Sequence, residues 1–144
     1  WKSRSTRRWP YISITGSTPI TCKAEAIVVA QDFISATNPP APIVNILQTA
    51  CYDCHSHTTQ YPWYTNIQPL AWWIKGHVDN GNKHLNYSTW TTYTAKKKAH
   101  KIEEMIEMVE GKEMPMLSYM VAHNDAWIDA DQRKALVDWF KTLE

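Results

Sequence analysis

The chain has 144 residues, 44% of them hydrophobic and 20% charged, with eight Trp, seven Tyr and two Phe. That is the length of one domain with an extension, and apolar enough to exclude a wholly disordered chain. The formal charge of +1 argues against a dedicated nucleic-acid binder, and purely apolar runs such as Ala26 to Ala30 are far too short to cross a bilayer.

The chain opens on Trp1 rather than Met and shows no charged-then-apolar leader, which reads as a processed or trimmed product. Its charge is uneven. Residues 1–23 hold Lys2, Arg4, Arg7, Arg8 and Lys23 and no acid, giving +5, while the rest of the chain carries −4. A basic arm therefore precedes an acidic domain: either a binder of anionic surfaces or a solvated extension. A helix is expected over 24–37, with Ile27, Ala30 and Ile34 on one face. Asn38-Pro39-Pro40 breaks it, and the boundary is placed there, with an extension over 1–40 and a domain over 41–144.

Ile43, Ile46, Leu47 and Ala50 recur at helical spacing, and Pro42 suits a first turn, which predicts a helix over 42–50. It runs into Cys51-Tyr52-Asp53-Cys54-His55. C-x-x-C-H is the attachment signature of c-type haem. Thiols three residues apart share one helical turn and can form thioethers with two vinyl groups on one porphyrin edge. The next residue, His55, then offers its imidazole to the iron. Zinc would need two more ligands, for which Cys22 stands alone. A thioredoxin-type pair would need a βαβ setting, whereas the flanks look helical. A motif with no cofactor is the third competing reading.

An aromatic loop, Tyr61-Pro62-Trp63-Tyr64, follows. Pro69 then opens a helix to about Asn80, with Leu70, Trp73, Ile74 and His77 on its inner face and Gly81 as its C′ residue. Leu85, Tyr87 and Trp90 alternate briefly, but Ser88 is read as the cap of a helical turn and no strand is expected. The next helix spans about Thr94 to Glu110, with Ile102, Met105, Ile106 and Val109 as its stripe and Gly111 as its stop. Lys96, Lys97, Lys98 and Lys101 crowd its start and Glu103, Glu104, Glu107 and Glu110 its end, against the macrodipole. The lysines are either a docking patch for an acidic redox partner or a solvated helix end. In the last helix Asp129 and Gln132 form a capping box, and Leu136, Trp139, Phe140 and Leu143 share a face. The expected fold is all-α, with helices and long loops wrapped around one haem.

A six-coordinate haem takes a second axial ligand, usually Met or His. Met114, just before Pro115 on an interhelical loop, is the first candidate. Met116 and His77 are the rivals, His123 fits a propionate partner better than a ligand, and an open sixth position is the remaining reading. The metal ligands expected are thus His55 and Met114. Tyr61, Trp63, Trp72, Trp73 and Trp90 are assigned to walling the porphyrin, with plain core packing as the alternative for each Trp.

The order of helix, C-x-x-C-H, Met-Pro loop and C-terminal aromatic helix resembles class I cytochromes c. A narrower set is similar to the bacterial haem-binding domain family with a single C-x-x-C-H: Cys51 to Ser56, Thr58 or Thr59, Tyr61 to Tyr64, Pro69, Trp72-Trp73, His77, Gly81, Leu85 to Ser88, Trp90, Met114-Pro115, His123 and Ala126. The resemblance covers about residues 41–144. It implies one haem c held by Cys51 and Cys54, with His55 proximal and Met114 distal. It also implies an extracytoplasmic bacterial protein, periplasmic or exported. Members often start with a membrane anchor, so membrane association is expected only through an anchor outside this sequence. Residues 1–40 match nothing in the pattern, and Pro19 to Cys22 is a poor lipobox.

The function expected is non-enzymatic: a monohaem electron carrier serving redox protein partners. The alternatives are a haem-based gas sensor or small-molecule-binding module, and an electron-relay subunit of a larger oxidoreductase complex.

Overall fold

The structure, a computed structural model, describes residues 30–144. The basic arm, Cys22 and the first part of the expected 24–37 helix lie outside these residues. The described chain is all-α. Its helices are α1 (Phe33–Thr37), α2 (Ala41–Ala50), α3 (Tyr52–His55), α4 (Leu70–His84), α5 (Ala95–Glu110), α6 (Leu117–Ala122) and α7 (Ala130–Lys141), joined by 3-10 turns at Trp63–Asn66, Tyr87–Thr92 and Asn124–Ala126.

Local chemistry sets the boundaries. The Asp32 carboxylate caps α1 by accepting from Ile34 N at 3.0 Å. Asn38 ends α1 in the left-handed region, at φ 47°, which a short polar side chain tolerates. Pro40 precedes α2 and Pro42 sits in its first turn, where a missing N–H leaves nothing unsatisfied. Thr94 caps α5 through Lys97 N. Asp129 and Gln132 make the expected capping box on α7, with Gln132 N to Asp129 Oδ1 at 2.7 Å and Asp129 N to Gln132 Oε1 at 2.9 Å. Replacing Asp129 by Ala should cost about 1 kcal/mol, read as a lower denaturation midpoint.

Ile43, Ile46 and Leu47 of α2, the whole predicted stripe of α5, and Leu136, Val137 and Phe140 of α7 form one core. The core reaches back past the Asn38–Pro40 break. Phe33 is fully buried, with ring centroids 4.9 Å from Tyr87, 4.7 Å from Trp90 and 5.8 Å from Trp139.

Three local expectations differ from the structure. The cap of the turn at Tyr87–Thr92 is Asn86, whose side chain accepts from Ser88 N; the buried Ser88 hydroxyl instead accepts from His57 N at 3.0 Å. Helix α4 runs through Gly81 to His84, so Gly81 is an interior residue and not a C′ stop. A Cβ there would lie 2.4 Å from the Cys54 carbonyl oxygen, and that near-contact of α3 with α4 is why the position is glycine. Finally, α6 follows the Met114 loop where only a long loop was expected.

Candidate functional site

The motif helix α3 is tied down on every side. The Tyr52 hydroxyl donates to Asp32 Oδ2 at 2.8 Å, joining the motif to the cap of α1. The buried Ser56 hydroxyl donates to Tyr52 O at 2.7 Å. The Asn86 side-chain amide donates to His57 Nε2 at 2.8 Å. On the far side, Asp53 Oδ1 accepts from Gln60 N at 3.0 Å and Oδ2 from the Tyr119 hydroxyl at 2.7 Å, which binds α6 to the motif.

His55 Nδ1 lies 3.1 Å from both Gly81 O and Leu85 O. Both partners are acceptors, so Nδ1 carries the proton and Nε2 is left with its lone pair. Burial holds the imidazole pKa below its ordinary value, which keeps the ring neutral. A neutral imidazole with its other nitrogen fixed by backbone carbonyls is the form that binds iron.

Both motif cysteines are free thiols. Burial, and then Cys54 alongside, push the Cys51 thiol up to about 12. Burial, and then Asp53, also raise Cys54. A redox-exchange pair needs the opposite shift, toward thiolate. Among the described residues no group of three His, Cys, Asp or Glu side chains is arranged to hold a metal ion.

These groups open onto a cavity of about 760 Å³, inside the range of about 300–1,000 Å³ usual for cofactor sites. Its wall takes Cys51, Cys54 and His55 from the motif, and Tyr61 and Tyr64 from the aromatic loop. Helix α4 gives Leu70, Trp73, Ile74 and His77. Met105 and Met108 come from α5, and Met114 and Met116 from the loop after it. Leu70, Trp73, Ile74 and His77, expected to face the core, thus face the cavity; of the residues in α4 only Val78 is buried. The lining is chiefly apolar and aromatic, as a flat porphyrin requires.

Of the nine site residues expected from the sequence, Cys51, Cys54, His55, Met114, Tyr61 and Trp73 come together here. Three tryptophans do not. Trp90 is a core residue, packed edge-on to Phe33. Trp63 and Trp72 are 77% and 71% exposed and lie off the cavity wall; Trp72 is about 100° round the helix from Trp73. His123 is a clasp: its Nδ1–H donates to Tyr119 O at 3.2 Å and its Nε2 accepts from the Tyr64 hydroxyl at 2.9 Å. It therefore has no nitrogen left for a ligand.

The sequence reading missed the Asp53–Tyr119 bond, the contact of Gly81 with Cys54, and Arg133. The Arg133 guanidinium donates from Nη1 to Val109 O at 2.7 Å and to Met114 O at 2.9 Å. No spacing rule signals any of the three.

An all-α domain with a neutral, oriented histidine and two thiols on one apolar cavity is built to hold a porphyrin. The family model described as haem-binding domain matches residues 11–142, and the chain belongs to that family. No curated protein and no solved structure matches it.

Proposed function

We propose that the chain is a monohaem c-type cytochrome that carries single electrons outside the cytoplasm and delivers them to redox protein partners. The observation that carries this is the fixing of His55 by two backbone carbonyls, with Cys51 and Cys54 on the same cavity wall. The residues fit haem c. Cys51 and Cys54 would hold it through thioethers, and His55 and Met114 would hold the iron. When bound, haem supplies one-electron Fe(II)/Fe(III) exchange, with no bond made to a substrate.

The chain's own residues prepare that exchange. The Gly81 and Leu85 carbonyls keep the proton on His55 Nδ1 and so increase the donor strength of Nε2. Leu70, Ile74, Met105 and Met108 give the cavity an apolar wall, and low polarity and a thioether ligand both favour the reduced state. Met114 is favoured over Met116 and His77 because its peptide is held at both ends. Its N–H donates to Met108 O at 3.1 Å and its carbonyl accepts from Arg133. His77 instead lies one turn before Gly81, on the helix packed against the motif.

Acid–acetone extraction, a pyridine haemochrome assay and the ferric optical spectrum test the proposal together. Haem that stays with the chain, plus the weak far-red band of ferric Met ligation, is the expected result. Covalent haem without that band would favour an open or His-ligated iron and a sensing role. Haem removed by the extraction would overturn the c-type assignment.

A further inference from the structure

We propose that Arg133 is the positioning residue for the axial methionine, a role that rests on the reading of Met114 as iron ligand. The loop after α5 has few anchors of its own. Lys112, at φ 60°, turns the chain in the left-handed region. Its N–H donates to Val109 O at 3.2 Å, while Glu113 N and Met114 N share Met108 O at 3.0 and 3.1 Å. All of these bonds run back to the last turn of α5. None of them reaches the Met114 carbonyl, on the side of the peptide that leads to Pro115.

Arg133 reaches it from a different helix. The Asp129–Gln132 capping box fixes the first turn of α7, and Arg133 N donates to Asp129 O at 3.0 Å. From there one guanidinium nitrogen bridges Val109 O, at the end of α5, and Met114 O, in the loop. A cation at a helix C-terminus is favourable, and both bonds are charge-assisted. The clamp fixes the distance between the end of α5 and the Met114 peptide, so the thioether is presented to the cavity with only its side-chain torsions left free. A lysine ammonium also carries more than one donor on a single nitrogen, but its stem is one atom shorter and its head rotates freely, so it reaches the two carbonyls less well and holds them less rigidly.

The test compares four variants of the haem-loaded protein: Arg133→Met, Arg133→Lys, Met114→Ala and Lys141→Gln. Lys141 pairs with Glu110 at 2.7 Å and so also ties α7 to α5, but it does not touch the loop. The readouts are the ferric far-red band and the association rate of carbon monoxide with the ferrous protein. Arg133→Met is expected to weaken the band and to speed carbon monoxide binding about tenfold, the scale of one lost charge-assisted hydrogen bond. Arg133→Lys should fall between it and the parent, and Lys141→Gln should match the parent. If Arg133→Met fails to fold, the graded response of Arg133→Lys against Lys141→Gln carries the test. Parent-like band and rate in the Arg133 variants, with both changed in Met114→Ala, would overturn the clamp and leave the ligand assignment standing. A parent-like Met114→Ala would overturn the ligand assignment and the clamp with it.

Discussion

Gly81→Ala is expected to lower the thermal midpoint by roughly 5–10 °C, whereas Gly76→Ala, five residues earlier on the same helix, is expected to raise it. By helix propensity alone both should stabilise, since an interior glycine costs about 1 kcal/mol relative to alanine. Packing decides the sign. A Cβ at position 76 would meet nothing within 4 Å. A Cβ at position 81 would lie 2.4 Å from the Cys54 carbonyl oxygen, 3.2 Å from its carbon and 3.3 Å from Cys54 Cβ. Two of those neighbours are backbone and cannot rotate away, so α4 must move off the motif. With backbone at 2.4 Å the overpacking falls at the upper end of the usual range, about 2–3 kcal/mol, which leaves a net loss of about 1–2 kcal/mol after the propensity gain. The movement also reaches the site, because Gly81 O accepts from His55 Nδ1. The alanine variant should therefore retain less haem as well as melt lower. Differential scanning of both variants checks the prediction, and a Gly81→Ala protein as stable as Gly76→Ala would show that α3 and α4 are not in this close contact.

What the sequence revealed and what it concealed follow a physical line. Periodicity and caps are local, and they gave the bounds of α2 and α5 within a residue or two and the start of α7, including the box on Asp129. The motif is local too, and it named three of the cavity's groups. The Met114 loop was found because Met-Pro between two helices is a short pattern. What escaped was set by tertiary contact. Gly81 looked like a helix stop because glycine serves that purpose most often, whereas here it permits a neighbour's backbone to approach. Trp63, Trp72 and Trp90 were grouped with Trp73 by residue type, but side-chain direction put two outside and one in the core. Arg133 and the Asp53–Tyr119 pair join residues 19 and 66 positions apart, and nothing in either neighbourhood marks the partner.

The Asn38–Pro40 break has its consequence at Phe33. Phe33→Ala is expected to cost about 3–5 kcal/mol, since large-to-small changes of a fully buried aromatic lose both transfer energy and packing. Against a total stability of about 5–15 kcal/mol, that is a large fraction. The ring packs on Tyr87, Trp90, Trp139 and, at 6.5 Å, Phe140, so the cavity left behind would lie between α7 and the Tyr87–Thr92 turn. The loss would extend to the haem site through Tyr87. That ring stacks on Tyr52 of the motif at 5.0 Å and stands edge-on to His55 at 6.1 Å, and its hydroxyl donates to Met105 Sδ at 3.2 Å. Phe33 thus supports the residue that backs His55. A chain begun at residue 41 should lose at least as much, because it also lacks Asp32 and with it the acceptor for the Tyr52 hydroxyl. Denaturant midpoints of the parent, Phe33→Ala and the shortened chain make the comparison. A change below about 1 kcal/mol in both would mean that residues 41–144 fold without the segment before the prolines, and that Phe33 only covers a core already complete.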